Sequence, residues 1–367
     1  MAGSPPTLYL NHAGSSWPKP APVKQAVQSA LEAPVDAWAE TFARQHQRVA
    51  DAFAIADAER LLLTPGCTSA LQVGVRDHPW AAGDRLVTSG WEHHALLRPA
   101  LELRHQGVEH VIVGPGQRGE LVDLGRLEEV LRGGRVRLVA MCTATNVTGA
   151  LLPIAEVIRL AHTYGALVLV DAAQTAGWLD IDVGALDVDL LAFAGHKGPQ
   201  APWGIGGLYV AERVVMRSPR LAQPTAMVGY CDAGSVDRIA LAGLVAGLEW
   251  LASPPRRDRL ARARAVIARI GELATSSPQV RAHGPAAPSA RMPTLALTWA
   301  RRSASDVADA LRLRGVIVSG GHQCAPLAHA SLGTQGGGVV RISVGPEATM
   351  EQAERVGSTL VKLTAPP

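Results

Sequence analysis

The chain has 367 residues, 47% of them hydrophobic and 18% charged. That excludes a disordered chain and supplies core material for roughly two domains. Its formal net charge of +3 is too small to imply a nucleic-acid partner without a local basic stripe. No apolar run reaches the ~20 residues of a membrane span. Met1 to Thr7 lacks a basic stretch followed by an apolar one, so no secretion signal is expected. Cys67, Cys142, Cys231 and Cys324 show no CxxC spacing, which argues against a zinc knuckle or a thioredoxin-type pair. The expectation is a reduced, cytoplasmic protein with no metal and no membrane.

The middle of the chain alternates apolar runs with helical periodicity. Val136 to Met141 reads as a strand. Pro153 then opens a helix, Ile154, Val157, Ile158 and Ala161 repeat at helical spacing, and Gly165 ends it. Ala166 to Val170 is a second strand with Asp171 at its carboxyl end. This is one βαβ unit, which requires a parallel sheet covered on both faces. Asp187 to Phe193 and Ile205 to Val210 add two more strands. A helical pattern runs from about Ile239 to Leu251, and Ser253-Pro254-Pro255 interrupts it.

The domain boundary is placed there. Arg256 to Ala274 reads as an arginine-rich helix with a solvated face rather than a nucleic-acid stripe. The rest reads as a smaller α+β unit. Thr294 to Trp299, Val316 to Val318 and Val339 to Val344 are strands. Ser305 to Leu313, with a serine cap, and Met350 to Leu363 are helices.

Functional residues of such sheets gather beyond the carboxyl ends of the strands. Asp171-Ala172-Ala173-Gln174 ends one strand, and Gly195-His196-Lys197 follows another. Pyridoxal phosphate chemistry needs this pair. The lysine forms an imine with the aldehyde, and the carboxylate keeps the pyridine nitrogen protonated so that the ring accepts electrons.

Tyr9 to Pro20 resembles the YLDNAATSWPKP opening of the class V aminotransferase family, in its cysteine desulfurase-like branch. The similarity runs to Arg341-Ile342-Ser343-Val344-Gly345. It implies an α/β fold of fold-type I, with a large domain built on a mainly parallel, seven-stranded type of sheet and a smaller α+β C-terminal domain. The arm would be 1–20, the large domain 21–252 and the small domain 253–367.

The resemblance also implies site roles. Gly66-Cys67-Thr68 falls on the phosphate-binding turn, where N–H groups at a helix start suit an anion. Glu92-His93-His94 falls on a motif whose first histidine stacks on the pyridine ring, so His93 rather than His94 is the expected partner. Asn146 and Gln174 fall near the ring's phenolic oxygen, and Asn146 also near the substrate. Asp171 falls on the partner of the pyridine nitrogen. His196 helps fix the phosphate, and Lys197 is the imine lysine. Ser235, in Asp232-Ala233-Gly234-Ser235, falls where a hydroxyl reaches the phosphate of the neighbouring subunit, which implies a homodimer with shared active sites. Arg341 falls on the arginine that binds the substrate carboxylate.

Gly320-Gly321-His322-Gln323-Cys324-Ala325-Pro326-Leu327-Ala328-His329 resembles the branch's GLHCAPLAH loop, whose cysteine takes sulfur from substrate. The implied reaction converts L-cysteine to L-alanine and leaves a persulfide on Cys324, for delivery to a sulfur-acceptor protein. Cys67, Cys142 and Cys231 lack that context, and their thiols read as structural. Several positions depart from the pattern. Ala194 stands for Ser or Thr, Ser319 for arginine, Asn11-His12 for Asp-Asn and Pro346 to Thr349 for YNT, and Gly198 to Gly204 is rearranged. Those departures keep open a carbon–sulfur lyase, aminotransferase or epimerase on another amino acid. A silent scaffold subunit is disfavoured by intact Asp171 and Lys197.

Overall fold

The computed structural model describes residues 7–34, 36, 38–217, 237–253 and 256–363. The chain divides into two compact units, one drawn from residues 18–143 and 152–254, the other from 1–17, 144–151 and 255–367.

The first unit holds a seven-stranded sheet. In spatial order its strands are Leu61–Thr64, Gly206–Val210, Leu190–Ala194, Leu167–Asp171, Val136–Cys142, Arg85–Ser89 and Glu109–Val113. Six point the same way, while Gly206–Val210 is antiparallel to both neighbours. The sheet is therefore mainly parallel, as the βαβ pattern requires. Helix Ile154–Thr163 starts at Pro153 and closes before Gly165, which adopts φ +72°. The central strands are apolar on both faces, with Leu138, Met141, Leu169 and Phe193 fully buried. Phe53 stacks on Phe193, with ring centroids 4.5 Å apart. The strand anticipated from Asp187 begins only at Leu190, because Asp187 takes a left-handed conformation at the end of a short helix, Val183–Leu186.

The second unit carries a four-stranded antiparallel sheet ordered Ser319–Gly321, Val339–Ser343, Thr294–Trp299 and Val280–His283. Leu8–Tyr9 pairs in parallel with Val316–Ile317. The helices Arg256–Thr275, Ala304–Arg312 and Met350–Lys362 belong to this unit. Ser303 caps Ala304–Arg312, and Thr349 with Gln352 forms a capping box on Met350–Lys362. Residues 144–151 join through backbone bonds from Met292 N–H to Gly149 O (2.7 Å) and from Leu151 N–H to Ala290 O (3.0 Å).

Candidate active site

In the first unit, the predicted cofactor residues collect at the carboxyl ends of neighbouring strands. Asp171 ends its strand, and Ala192 of the next strand lies in register with it. The carboxyl group is buried, and two hydrogen bonds fall on one of its oxygens. Oδ1 accepts from Ala173 N–H at 2.8 Å and from the Cys67 thiol at 3.5 Å, so neither uses Oδ2. Burial raises the Asp171 pKa, while the Ala173 N–H, the nearby Lys197 charge and the Cys67 thiol pull it down. Burial and the Asp171 charge push the Cys67 thiol well up, so it stays a neutral donor.

Lys197 follows its strand through Gly195-His196. The turn is closed by Gly195 N–H to Ile205 O and Ala201 N–H to Gly195 O, both 2.9 Å, and by Gln200 N–H to Lys197 O at 3.1 Å. His196 is lowered to about 4 by burial and by the charges of Lys197 and Lys19, so its ring is neutral near pH 7. Lys19 donates to His196 O at 3.3 Å, and its ammonium lies 5.8 Å from the Trp203 ring centroid. The rearranged segment after Lys197 thus presents Trp203, which is exposed, to a cation.

Helix Cys67–Arg76 begins after Gly66, whose φ of +145° favours glycine, and no side chain caps it. A Cβ at Gly66 would meet nothing within 4 Å. The uncapped N–H groups of its first turn are the donor set an anionic phosphate takes. His93 caps helix His94–Glu102, its Nδ1 accepting from Ala95 N–H at 3.0 Å, which leaves the proton of the neutral ring on Nε2. Gln174 lies in the turn after Asp171, which Thr175 N–H to Ala172 O (3.0 Å) closes. Ala194 is buried and brings no hydroxyl.

Glu92, which opens the Glu92-His93-His94 motif, is a site residue to which the sequence assigns no role. Glu92 is fully buried, accepts from Cys142 N–H at 3.0 Å, and hydrogen-bonds Ser89 Oγ. Burial lifts its pKa to about 8 against the Ser89 bond, with the Asp171 charge adding to the rise. A carboxyl embedded among hydrophobic strand ends, one residue before His93, was the available signal.

The second unit gathers Asn146, Cys324 and Arg341. Arg341 lies in strand Val339–Ser343 and is buried. Its Nη1 donates to Asn146 O at 2.9 Å and its Nη2 to Asn11 Oδ1 at 2.8 Å, while Nε has no partner among the described residues. Burial lowers it to about 10, opposed by Tyr9 and Cys324, so it is cationic near pH 7. It forms no ion pair among the described residues. Asn146 donates its amide to Gln323 O at 2.7 Å, and its Oδ1 has no partner among the described residues. Cys324 is an exposed free thiol. Ser319 pairs with Arg341 across the sheet. Ser235 and Cys231 lie outside the described residues. Among those described, no group of side chains has the makings of a metal site, and no helix is long and apolar enough to cross a membrane.

The sequence from residue 22 to residue 356 matches the aminotransferase class-V family. The chain belongs to that family. It is 29% identical to a probable cysteine desulfurase of Methanothermobacter thermautotrophicus, covering 85% of this chain and 81% of that one. It is 33% identical to a cysteine desulfurase of Dickeya dadantii, over 76% of this chain and 71% of the other. Among solved structures, the apo cysteine desulfurase from Thermococcus onnurineus superposes with a TM-score of 0.88 at 25% identity, covering 98% of this chain and 94% of that one. The cysteine desulfurase CsdA from Escherichia coli, in an S-sulfonic acid form, gives 0.86 at 26% identity, covering 98% and 96%. Class V aminotransferases are pyridoxal phosphate enzymes of fold-type I, and this chain is an enzyme of that family and fold. The residues present fit the cofactor. An uncapped helix start after Gly66 suits the phosphate, Asp171 Oδ2 suits a protonated ring nitrogen, and Lys197 is held in the adjoining turn.

Proposed function

We propose that the chain is a pyridoxal phosphate-dependent cysteine desulfurase that converts L-cysteine to L-alanine and keeps the sulfur on Cys324. The observation that carries this reading is an exposed thiol, Cys324, on a loop fixed by Asn146, whose own carbonyl accepts from the buried Arg341. Thiol and guanidinium are thereby held in one unit at a fixed relation. Bound at Lys197, the cofactor supplies the electron sink that loosens bonds beta to the amino-bearing carbon.

The chain's own residues do the rest. Cys67, Thr68 and His196 hold the phosphate, with Ser235 of a second copy in a homodimer. Asp171 keeps the ring nitrogen protonated, His93 stacks on the ring, and Asn146 and Gln174 attend its phenolic oxygen. Arg341 holds the substrate carboxylate. His93 Nε2 exchanges the proton of the substrate thiol, and Lys197 Nζ moves the proton at carbon. Cys324, as thiolate, attacks the substrate sulfur. The S–S bond forms as the C–S bond breaks, the carbon fragment keeps that electron pair and takes a proton, and the products are alanine and Cys324 persulfide. The described cysteines, 67, 142 and 324, are all free, which supports a reducing, cytoplasmic setting. From there the persulfide passes to an acceptor protein.

The test is incubation of cofactor-loaded protein with L-cysteine and a thiol reductant. Alanine and sulfide should appear in equal amounts, and Cys324→Ser should abolish both while leaving the cofactor absorbance intact. Alanine formed at the parental rate by Cys324→Ser would overturn the reading. Pyruvate and ammonia in place of alanine would assign a β-eliminating lyase.

A further inference from the structure

Cys324 and the residue before it both occupy the left-handed region of backbone space, Gln323 at φ +45° and Cys324 at φ +56°. Neither is glycine, and such a conformation persists only where the surroundings impose it. Two successive carbonyls just upstream show what imposes it. The Gln323 carbonyl accepts from Asn146 Nδ2 at 2.7 Å. The His322 carbonyl lies 2.9 Å from His329 Nε2, and a carbonyl only accepts, so this nitrogen carries the proton.

The tautomer is fixed from the other side. His329 Nδ1 lies 2.7 Å from Thr334 Oγ1 and accepts the hydroxyl proton. His329 is fully buried, and Thr334 nearly so. Burial also lowers the His329 pKa, as does the nearby His322, with the carbonyl bond opposing, so the ring is neutral. The Gln323 side chain is tied as well, its amide donating to Val339 O at 3.1 Å. Ala325 N–H completes the turn on His322 O at 3.0 Å.

We infer that His329, oriented by Thr334, and Asn146 form a two-point clamp on the carbonyls of residues 322 and 323 that holds the Cys324 thiol in its attacking position. His329 is a positioning residue in this scheme, acting on the thiol through the His322 carbonyl. The kinetic consequence rests on the sulfur-transfer reading above, while the conformational one does not.

The first arm uses cofactor-free protein and the alkylation of Cys324 by iodoacetamide, located by peptide mass mapping. His329→Phe and Asn146→Ala release one carbonyl each. Each should change the alkylation rate upward by about threefold or more, as the loop leaves its single conformation and access to the thiol increases. The second arm uses the loaded enzyme with L-cysteine. His329→Phe should lower kcat by about tenfold or more with KM little changed, because a nucleophile displaced by an ångström loses attack geometry and not substrate affinity. His329→Gln, which can donate an amide proton to the same carbonyl, should recover most of kcat. If His329→Phe does not fold, Thr334→Val provides the same test, since it removes only the bond that orients the ring. An alkylation rate unchanged in the variants, or an equal loss of kcat in His329→Phe and His329→Gln, would overturn the clamp. Failure of the sulfur-transfer reading would show separately, as alanine production by Cys324→Ser.

Discussion

Cys67 and Asp171 share a hydrogen bond that sorts the two oxygens of the carboxylate. The thiol joins Ala173 N–H on Oδ1, at 3.5 and 2.8 Å, and leaves Oδ2 out of both bonds. Cys67→Ala removes one weak neutral donor, a loss of about 1 kcal/mol at most. The expected outcome is a five-fold or smaller (roughly) weakening of pyridoxal phosphate binding, with Cys67→Ser near the parental value. Absorbance titration of the cofactor-free protein measures it. Equal weakening in the alanine and serine variants would show that the bond to Asp171 is not what matters at this position.

Glu92 makes stability depend on pH in a direction opposite to that of an ordinary paired carboxylate. Burial raises its folded-state pKa from 4.5 to about 8. Between those values the folded protein holds a proton that the unfolded chain has released. Stability is therefore present at low pH and falls as pH rises through the window. Glu92→Gln keeps the amide-sized, neutral side chain and removes that dependence. Relative to the parent, it should gain about 1.4 kcal/mol per pH unit across the window. Urea unfolding near pH 5, 6.5 and 8 checks this, and parallel pH slopes for parent and variant would contradict it.

Arg341 is expected to act through its planar fork. It is buried, two of its N–H groups are spent on Asn146 O and Asn11 Oδ1, and Nε remains. Arg341→Lys keeps the charge and loses the fork. KM for the amino acid should rise by about tenfold or more, with kcat less affected. Steady-state kinetics decide it, and an unchanged KM would move the carboxylate site elsewhere.

Gly198 follows Lys197 directly, and a methyl group there would overlap the carbonyl oxygen of Ala176 and crowd the Trp178 ring. Backbone cannot yield as a flexible side chain does. Gly198→Ala should cost about 1–3 kcal/mol of stability and displace the lysine turn. Thermal unfolding and borohydride fixation of the cofactor measure the two effects, and a parental melting temperature would disprove the overlap.

Much of this site was visible in the sequence because its groups sit at strand ends, where local pattern is strongest. Asp171 closes an apolar run, and Lys197 follows another after two residues. What stayed hidden depends on contacts between distant segments. Asn146 and Gln323 are 177 positions apart, so no local pattern ties the amide of one to the carbonyl of the other. The neutral state of Glu92 is a product of burial by neighbouring strands. The direction of Gly206–Val210 was also not readable, since an apolar run has no polarity until its neighbours are known. Nor did the glycines of Ser319–Gly321 suggest a strand, although that segment pairs with Val339–Arg341.

Residues 144–151 leave one strand of the large sheet and return to its next crossover helix, yet their backbone bonds run to residues 290 and 292. The small unit is thus assembled from three separate pieces of chain. Residues 290 and 292 leave the ribosome long after residues 144–151 were made. Until then residues 144–151 have their own turn bonds, Gly149 N–H to Thr145 O and Thr145 N–H to Ala150 O, and lack those to 290 and 292. Closure of this unit is consequently a late, long-loop event.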